Sequence, residues 1–203
     1  MQGSSSYVAH NVFEDNFQNA PTSTPIFVDI RATPVIEKNT FRNNRSRFPT
    51  TIDGAAILIQ GEASPLIRNN IFHDNEGAAV SERIPRPNAS PVIINNTMVR
   101  NTAGFRRRFV PPTFPPTGLV VRNNIMVDGQ FGLEVQGPSD PAPQFTFDYN
   151  LLSGNEANYF RVGDQTGTNG NISVDPRFIN SAGNNFRLGA SSPAIDAGTE
   201  LLP

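Results

Sequence analysis

Three observations predict an all-β fold, a single-stranded parallel β-helix (solenoid) of about seven coils. The chain repeats every 26 to 31 residues, its apolar segments are short, and no stripe of helical period lasts ten residues. The repeat runs through "SYVAHNVFEDN" (6–16), "PVIEKNTFRNN" (34–44), "SPLIRNNIFHDN" (64–75), "PVIINNTMVRN" (91–101), "LVVRNNIMVDG" (119–129) and "FTFDYNLLSGN" (145–155). Aligned, these place Asn11, Asn39, Asn70, Asn96, Asn124 and Asn150 at one position. Two residues on come Phe13, Phe41, Phe72, Met98, Met126 and Leu152, and three before come Val8, Ile36, Ile67, Ile93, Val121 and Phe147. A second file, five residues on, reads Asn16, Asn44, Asn75, Asn101, Gly129 and Asn155.

Each element follows from this pattern. A β-branched apolar pair makes a short strand, a sharp turn follows, and a second apolar residue opens the next strand. A further apolar stretch, such as "PIFVDI", "AAILI" or "FGLEV", closes the coil. Stacked coils lie about 4.8 Å apart, so six of them make a rod of roughly 30 Å. Asparagine is poor in helix and strand alike, yet it tolerates left-handed backbone, so the aligned asparagines are expected to occupy the turn itself. Their amides can donate to one neighbour and accept from the other, forming a structural ladder that pins register. Pro34, Pro65 and Pro91 open successive coils, where a strand tolerates a missing N–H. "SSPAIDAG" (191–198) reads as a last, partial coil, with Ile195 and Gly198 in the apolar and Asn positions. One domain is expected, with coils over 1–170, a loop insertion at 105–118, and a terminal coil and C-terminal end over 171–203.

These repeats resemble the parallel β-helix repeat of the pectin-lyase-like superfamily, and "DPRFINSAGNNFRLGASSPAIDAG" (175–198) resembles the closing coil of many extracellular bacterial right-handed β-helix proteins. The resemblance implies a right-handed solenoid and an extracellular or cell-surface location. It implies little about chemistry, because that superfamily holds lyases, hydrolases, epimerases and adhesins. Members cap the first coil, whereas here a coil begins by residue 6 with the N-terminal cap missing. That suggests a fragment whose open edge invites self-association. No signal peptide follows Met1.

Composition excludes several classes. Net charge is -2, which argues against nucleic acid, and no apolar run is long enough to span a bilayer. There is no Cys, and His10 and His73 fall in different columns as surface histidines, so no metal and no cofactor are expected. Across coils, Glu37 beside Arg68, Arg122 beside Asp148, and Asp74–Arg100–Asp128 alternate in sign, as a solvated ion ladder would. Hydrolases of the superfamily carry NTD-like and DD motifs, which this chain lacks.

The basic complement is nearly all arginine, with Lys38 the only lysine. Arg45, Arg47, Arg83, Arg86, Arg106, Arg107 and Arg108 fall in three segments that read as loops, "RSRFPTT", "ERIPRPN" and "FRRRFVPPTFPPTG". If the loops share a side, their guanidinium forks suit carboxylate or sulfate groups, and Phe109 and Phe114 can cover a sugar face. The expected function is a non-catalytic module of an exported or cell-surface bacterial protein. It would bind an acidic polysaccharide, or a protein partner, through these Arg- and Phe-bearing loops. The alternative is a fragment of a polysaccharide lyase or epimerase acting on uronate polymers.

Overall fold

The computed structural model describes residues 5–20, 23–51, 53–108, 118–137 and 145–200. Eighteen of its strands form three parallel sheets of six strands each, beside two small two-stranded sheets, so five turns of solenoid separate the first rung from the last. The first sheet stacks Tyr7–Ala9, Val35–Glu37, Leu66–Arg68, Val92–Ile94, Val120–Arg122 and Thr146–Asp148. The second stacks Val12–Glu14, Thr40–Arg42, Ile71–His73, Thr97–Val99, Ile125–Val127 and Leu151–Ser153. The third has longer strands: Ile26–Val28, Ala55–Gly61, Ala78–Pro85, Ala103–Arg108, Phe131–Gln136 and Ala157–Phe160. Pairing between coils is in register with the repeat alignment: Ile36 meets Ile67, and Phe72 meets Phe41 and Met98. Equal repeat positions therefore point inward together, and Ile36, Phe41, Ile67, Phe72, Ile93, Met98, Val121 and Met126 join one buried cluster. Phe13, Phe41 and Phe72 stack face to face with centroids 4.6 and 4.7 Å apart.

The asparagines form the ladder. Asn39 donates from both its backbone N and Nδ2 to Oδ1 of Asn70, at 3.0 Å each. Asn70 does the same to Asn96, Asn96 to Asn124, and Asn124 to Asn150. Each Nδ2 also reaches a strand carbonyl of the coil before, as Asn96 does to Ile67. The left-handed residue, however, is the one ahead of each asparagine. His10, Lys38, Asn69, Asn95, Asn123 and Tyr149 have φ of 52 to 58°, and so do Asp15, Asn43, Asp74, Arg100 and Asp128 before the second file. The ladder residue itself is thereby free to aim its amide along the axis, while its neighbour makes the corner.

Two expectations about the C-terminal end are corrected. Coils number six, not about seven, because residues 191–198 are turns rather than a stacked rung, and Ile195 is 45% exposed. The seventh ladder position is taken by Asn171, whose Oδ1 accepts from Asn150 N at 3.0 Å. Its spacing from Asn150 is 21 residues, shorter than any in the repeat, which hid it from the alignment. The C-terminal segment instead folds back along the outside of the second sheet. There Phe186 and Phe178 join a small cluster with Val99, Val127 and Leu151, and Thr199 exchanges hydrogen bonds with Asn123.

Gly129, in the second asparagine file, is glycine for want of space: a Cβ there would lie 2.3 Å from the Asn101 carbonyl oxygen. Gly129→Asn, which restores the residue favoured by the file, is therefore expected to lower the melting temperature by several degrees in a thermal scan. Unchanged or raised stability would show that the rung spacing relaxes at this point.

Candidate functional site

The arginines expected to make one basic face do not share it. Of the seven, Arg45, Arg83, Arg106, Arg107 and Arg108 lie in strands rather than loops. Arg106 and Arg107 are buried, the correction with the largest consequence. Along Ala103–Arg108, Phe105 faces the core and pairs with Val80 and Leu133. Arg106 therefore faces out and Arg107 in, by strand alternation.

Arg107 pairs with Glu82 on one side and Val135 on the other, and Glu82 pairs with Ile59. Ile59 and Val135 belong to the central apolar cluster, so the ion pair sits inside the solenoid. Arg107 Nε lies 2.9 Å from Glu82 Oε2, and its guanidinium carbon is 4.8 Å from the Phe145 ring centre. Burial pushes the Glu82 carboxyl above its ordinary range and pulls Arg107 below its own, each countered by the other's charge.

Arg106 is wholly buried on the outer face. Its Nε donates to Glu134 Oε2 at 2.6 Å, and its two terminal nitrogens donate to the carbonyls of Pro49, Thr51 and Gly54. Residues 48–51 and 53–54 thus lie as a strap over the third sheet. Gln136 Nε2 holds it at the Thr50 carbonyl, 2.8 Å away, and Arg83 contacts Asp53. Arg45 and Arg47 are exposed ahead of this strap. They lie beyond the N-terminal ends of the third-sheet strands, about 20 Å of strand from the opposite edge.

That opposite edge is where basic groups do collect. Arg83 and Arg108 point out from the C-terminal parts of their strands, and Arg86 follows Pro85 directly. Arg31, outside the three arginine-bearing segments of the sequence, is there too. With Asp29, Ile30, Gln60, Gly61, Glu62, Ile84 and Arg86 it lines a concavity of about 390 Å³. Arg31 Nε lies 2.6 Å from Glu62 Oε2, while Asp29 is buried and accepts from the backbone N of Ile30. Ile30 and Ile84 are 53% and 38% exposed at φ of 42° and 46°. For a β-branched residue that conformation is strained, and such strain concentrates where a fold holds a side chain for use. The sequence offered one signal for this edge, since "DIR", "QGE" and "IPR" mark the C-terminal ends of successive third-sheet strands, the last of them across a one-residue bulge. Phe109 and Phe114 lie outside the described residues.

The expected ion ladder holds in part. Arg68 reaches Glu37, Arg122 grips Asp148, and Arg100 grips Asp74 with two nitrogens at 2.7 and 3.0 Å. Asp128 makes no such contact: the remaining Arg100 donors go to Ser181 and Asn184 of the C-terminal segment. Arg100 holds the Asp74 carboxyl below its usual range, and a hydrogen bond from Tyr7, then Arg68, does so for Glu37. His10 is exposed, but His73 is not a surface residue. It is buried against Phe186, with Nδ1 2.6 Å from Asp74 Oδ2. Among the described residues no three His, Cys, Asp or Glu side chains converge as metal ligands would.

No curated protein and no solved structure matches the chain. Residues 2–179 do match the family model described as the right handed beta helix region. With its three stacked parallel sheets and continuous asparagine ladder, the chain belongs to the right-handed β-helix family.

Proposed function

We propose that the chain is a non-catalytic β-helix module of an exported or cell-surface bacterial protein, and that it binds an acidic polysaccharide at the C-terminal edge of the third sheet. One observation carries this reading. Exposed Arg31, Arg86 and Arg108 gather at the edge that holds a concavity with two apolar ledges, Ile30 and Ile84. Guanidinium forks match carboxylate or sulfate groups, and the ledges give an uncharged sugar face something to lie on.

The carboxylates favour binding over acid–base chemistry. Eight arginine–carboxylate pairs join adjacent coils among the described residues, and six of their acidic members are Glu37, Asp53, Asp74, Glu82, Glu134 and Asp148. Hydrogen bonds from Tyr7 and Arg68 hold Glu37, and one from Arg100 holds Asp74, below the ordinary carboxylate range, which makes each a poor proton donor, while Glu82 is sealed inside. Affinity electrophoresis through gels containing polygalacturonate or alginate tests the proposal. The wild-type protein is expected to be retarded, and the Arg31→Ala, Arg86→Ala, Arg108→Ala variant to run as in a plain gel. Retardation should fade as salt is raised. Unretarded wild type, or equal retardation of the variant, would rule the edge out. Unsaturated sugar products in the same mixture would favour the lyase reading instead.

A further inference from the structure

The C-terminal segment does not pack flush against the solenoid. Between it and the corner that joins the first two sheets lies a cavity of about 260 Å³, spanning the fourth to sixth coils. Met98, Met126 and Leu152 face the core, so their strand neighbours Thr97, Ile125 and Leu151 face outward in file and line the cavity. Ile172 extends this floor, and Leu188 of the returning segment stands opposite it.

The outer wall is held in place. Thr199 gives its N–H to Asn123 Oδ1 and takes the Asn123 Nδ2, while Arg100 donates to Ser181 and Asn184 of the same segment. Between 194 and 198 the residues of the wall that line the cavity are Ala194, Ala197 and Gly198, too small to fill it. The polar groups are neutral and free. Among the described residues none donates to or accepts from the Asn95 side chain, the Thr97 hydroxyl or the Tyr149 hydroxyl. A Cβ at Gly170 would lie 2.5 Å from Tyr149 Cδ1, so glycine there lets the ring lie against the chain, 38% of the residue still exposed. No residue lining the cavity carries a charge.

We infer that this cavity binds the ring of one neutral sugar residue. An amide and a hydroxyl each donate and accept, as every sugar hydroxyl does, so Asn95 and Thr97 can pair with neighbouring hydroxyls of one ring. The Tyr149 ring and the aliphatic floor suit its C–H face. The volume falls below the roughly 300–1,000 Å³ of sites for drug-sized ligands, which fits one ring rather than a chain. This site is separate from the basic edge of the third sheet. Arg31 and Arg86 belong to the first and third coils, and no cation lines the cavity to select an acidic ligand.

The probes are the methyl glycosides of glucose, galactose and mannose, added to the full chain while amide chemical shifts are followed by NMR. At least one is expected to shift the Asn95 side-chain amide and the backbone amides of Thr97 and Ile125 saturably, at millimolar concentration. Ala197→Leu, which fills the cavity from its wall, should weaken that binding about tenfold or more, with the melting temperature unchanged or raised. Thr97→Val removes one hydroxyl at constant shape and should weaken it about fivefold. The Arg31→Ala, Arg86→Ala, Arg108→Ala variant should bind the sugar as the wild type does, so this result stands whether or not the basic edge binds an acidic polymer. No saturable shift with any of the three, or full affinity in Ala197→Leu, would overturn the inference. So would equal shifts with cyclohexanol, which would make the cavity merely apolar, or loss of sugar binding in the arginine variant, which would move the sugar to the edge.

Discussion

Arg107→Met is expected to destabilise the protein by about 3–5 kcal/mol, because it leaves Glu82 charged inside the solenoid with its one cation removed. Glu82→Leu should be harmful for the mirrored reason. The double variant, Glu82→Leu with Arg107→Met, should recover stability to the wild-type level or above. Its side chains continue the file from Ile59 to Val135 and need no solvation. Urea unfolding of the four proteins closes the double-mutant cycle.

The pH dependence supplies an independent sign. Burial already raises the Glu82 carboxyl above its ordinary 4.5, and losing Arg107 removes the main opposing influence. A carboxyl with a raised folded pKa takes up its proton more readily in the folded state. Its contribution is most favourable below the unfolded value and is lost as pH rises through the folded one. The deficit of Arg107→Met relative to wild type should thus be smallest near pH 4 and grow toward neutrality. A deficit that stays level across that range would mean that Glu82 is hydrated, and that the pair is not interior.

Three consecutive arginines look like a solvated loop, and the proline-rich run that follows strengthens the impression. The strand continues through them, since Phe105 and Arg107 share inward parity with Val135 in the next coil and with Ile59 two coils before. Counting by twos from "AAV" through Ser81 would have placed Glu82 inward as well, opposite Arg107, and a complementary pair at matched inward positions was the available signal. The long-range strap could not have been read. Nothing local to Pro49, Thr51 or Gly54 says that their carbonyls will meet the Arg106 guanidinium more than fifty residues away.

The repeat, by contrast, was legible because it is enforced at every rung. Each coil must present an apolar residue, a corner and an amide at the same place, or its neighbours lose contacts on both sides. Spacing alone located Asn39, Asn70, Asn96 and Asn124 correctly, yet it assigned them the wrong backbone. The corner residue before them varies among His, Lys, Asn and Tyr, since none of these side chains is buried in the core. Only the ladder residue is held to one chemistry. Edges such as the Arg31 concavity lie between these extremes, because they depend on how the turns after the third sheet splay, and no repeat rule governs that.

The ladder carries the second large effect. Asn96 accepts two hydrogen bonds from Asn70 and donates to Asn124 Oδ1 and to the carbonyls of Ile67 and Ile94, all at 3.0 Å and all buried. Asn96→Ala strands these groups without water, at about 1–3 kcal/mol for each that stays unpaired. The loss should exceed about 4 kcal/mol, or roughly 10 °C of melting temperature at this chain length. Asn88→Ala, at an exposed turn position, should change neither.

Hydrogen exchange at the side-chain amides, followed by NMR on the wild-type protein, tests the ladder most directly. The Nδ2 protons of Asn39, Asn70, Asn96, Asn124 and Asn150 should survive long after those of Asn19 and Asn88 have been lost, and in Asn96→Ala the protection of Asn70 should fall first. If all seven amides instead exchange together at the rate of a free side chain, the coils are not joined by this column.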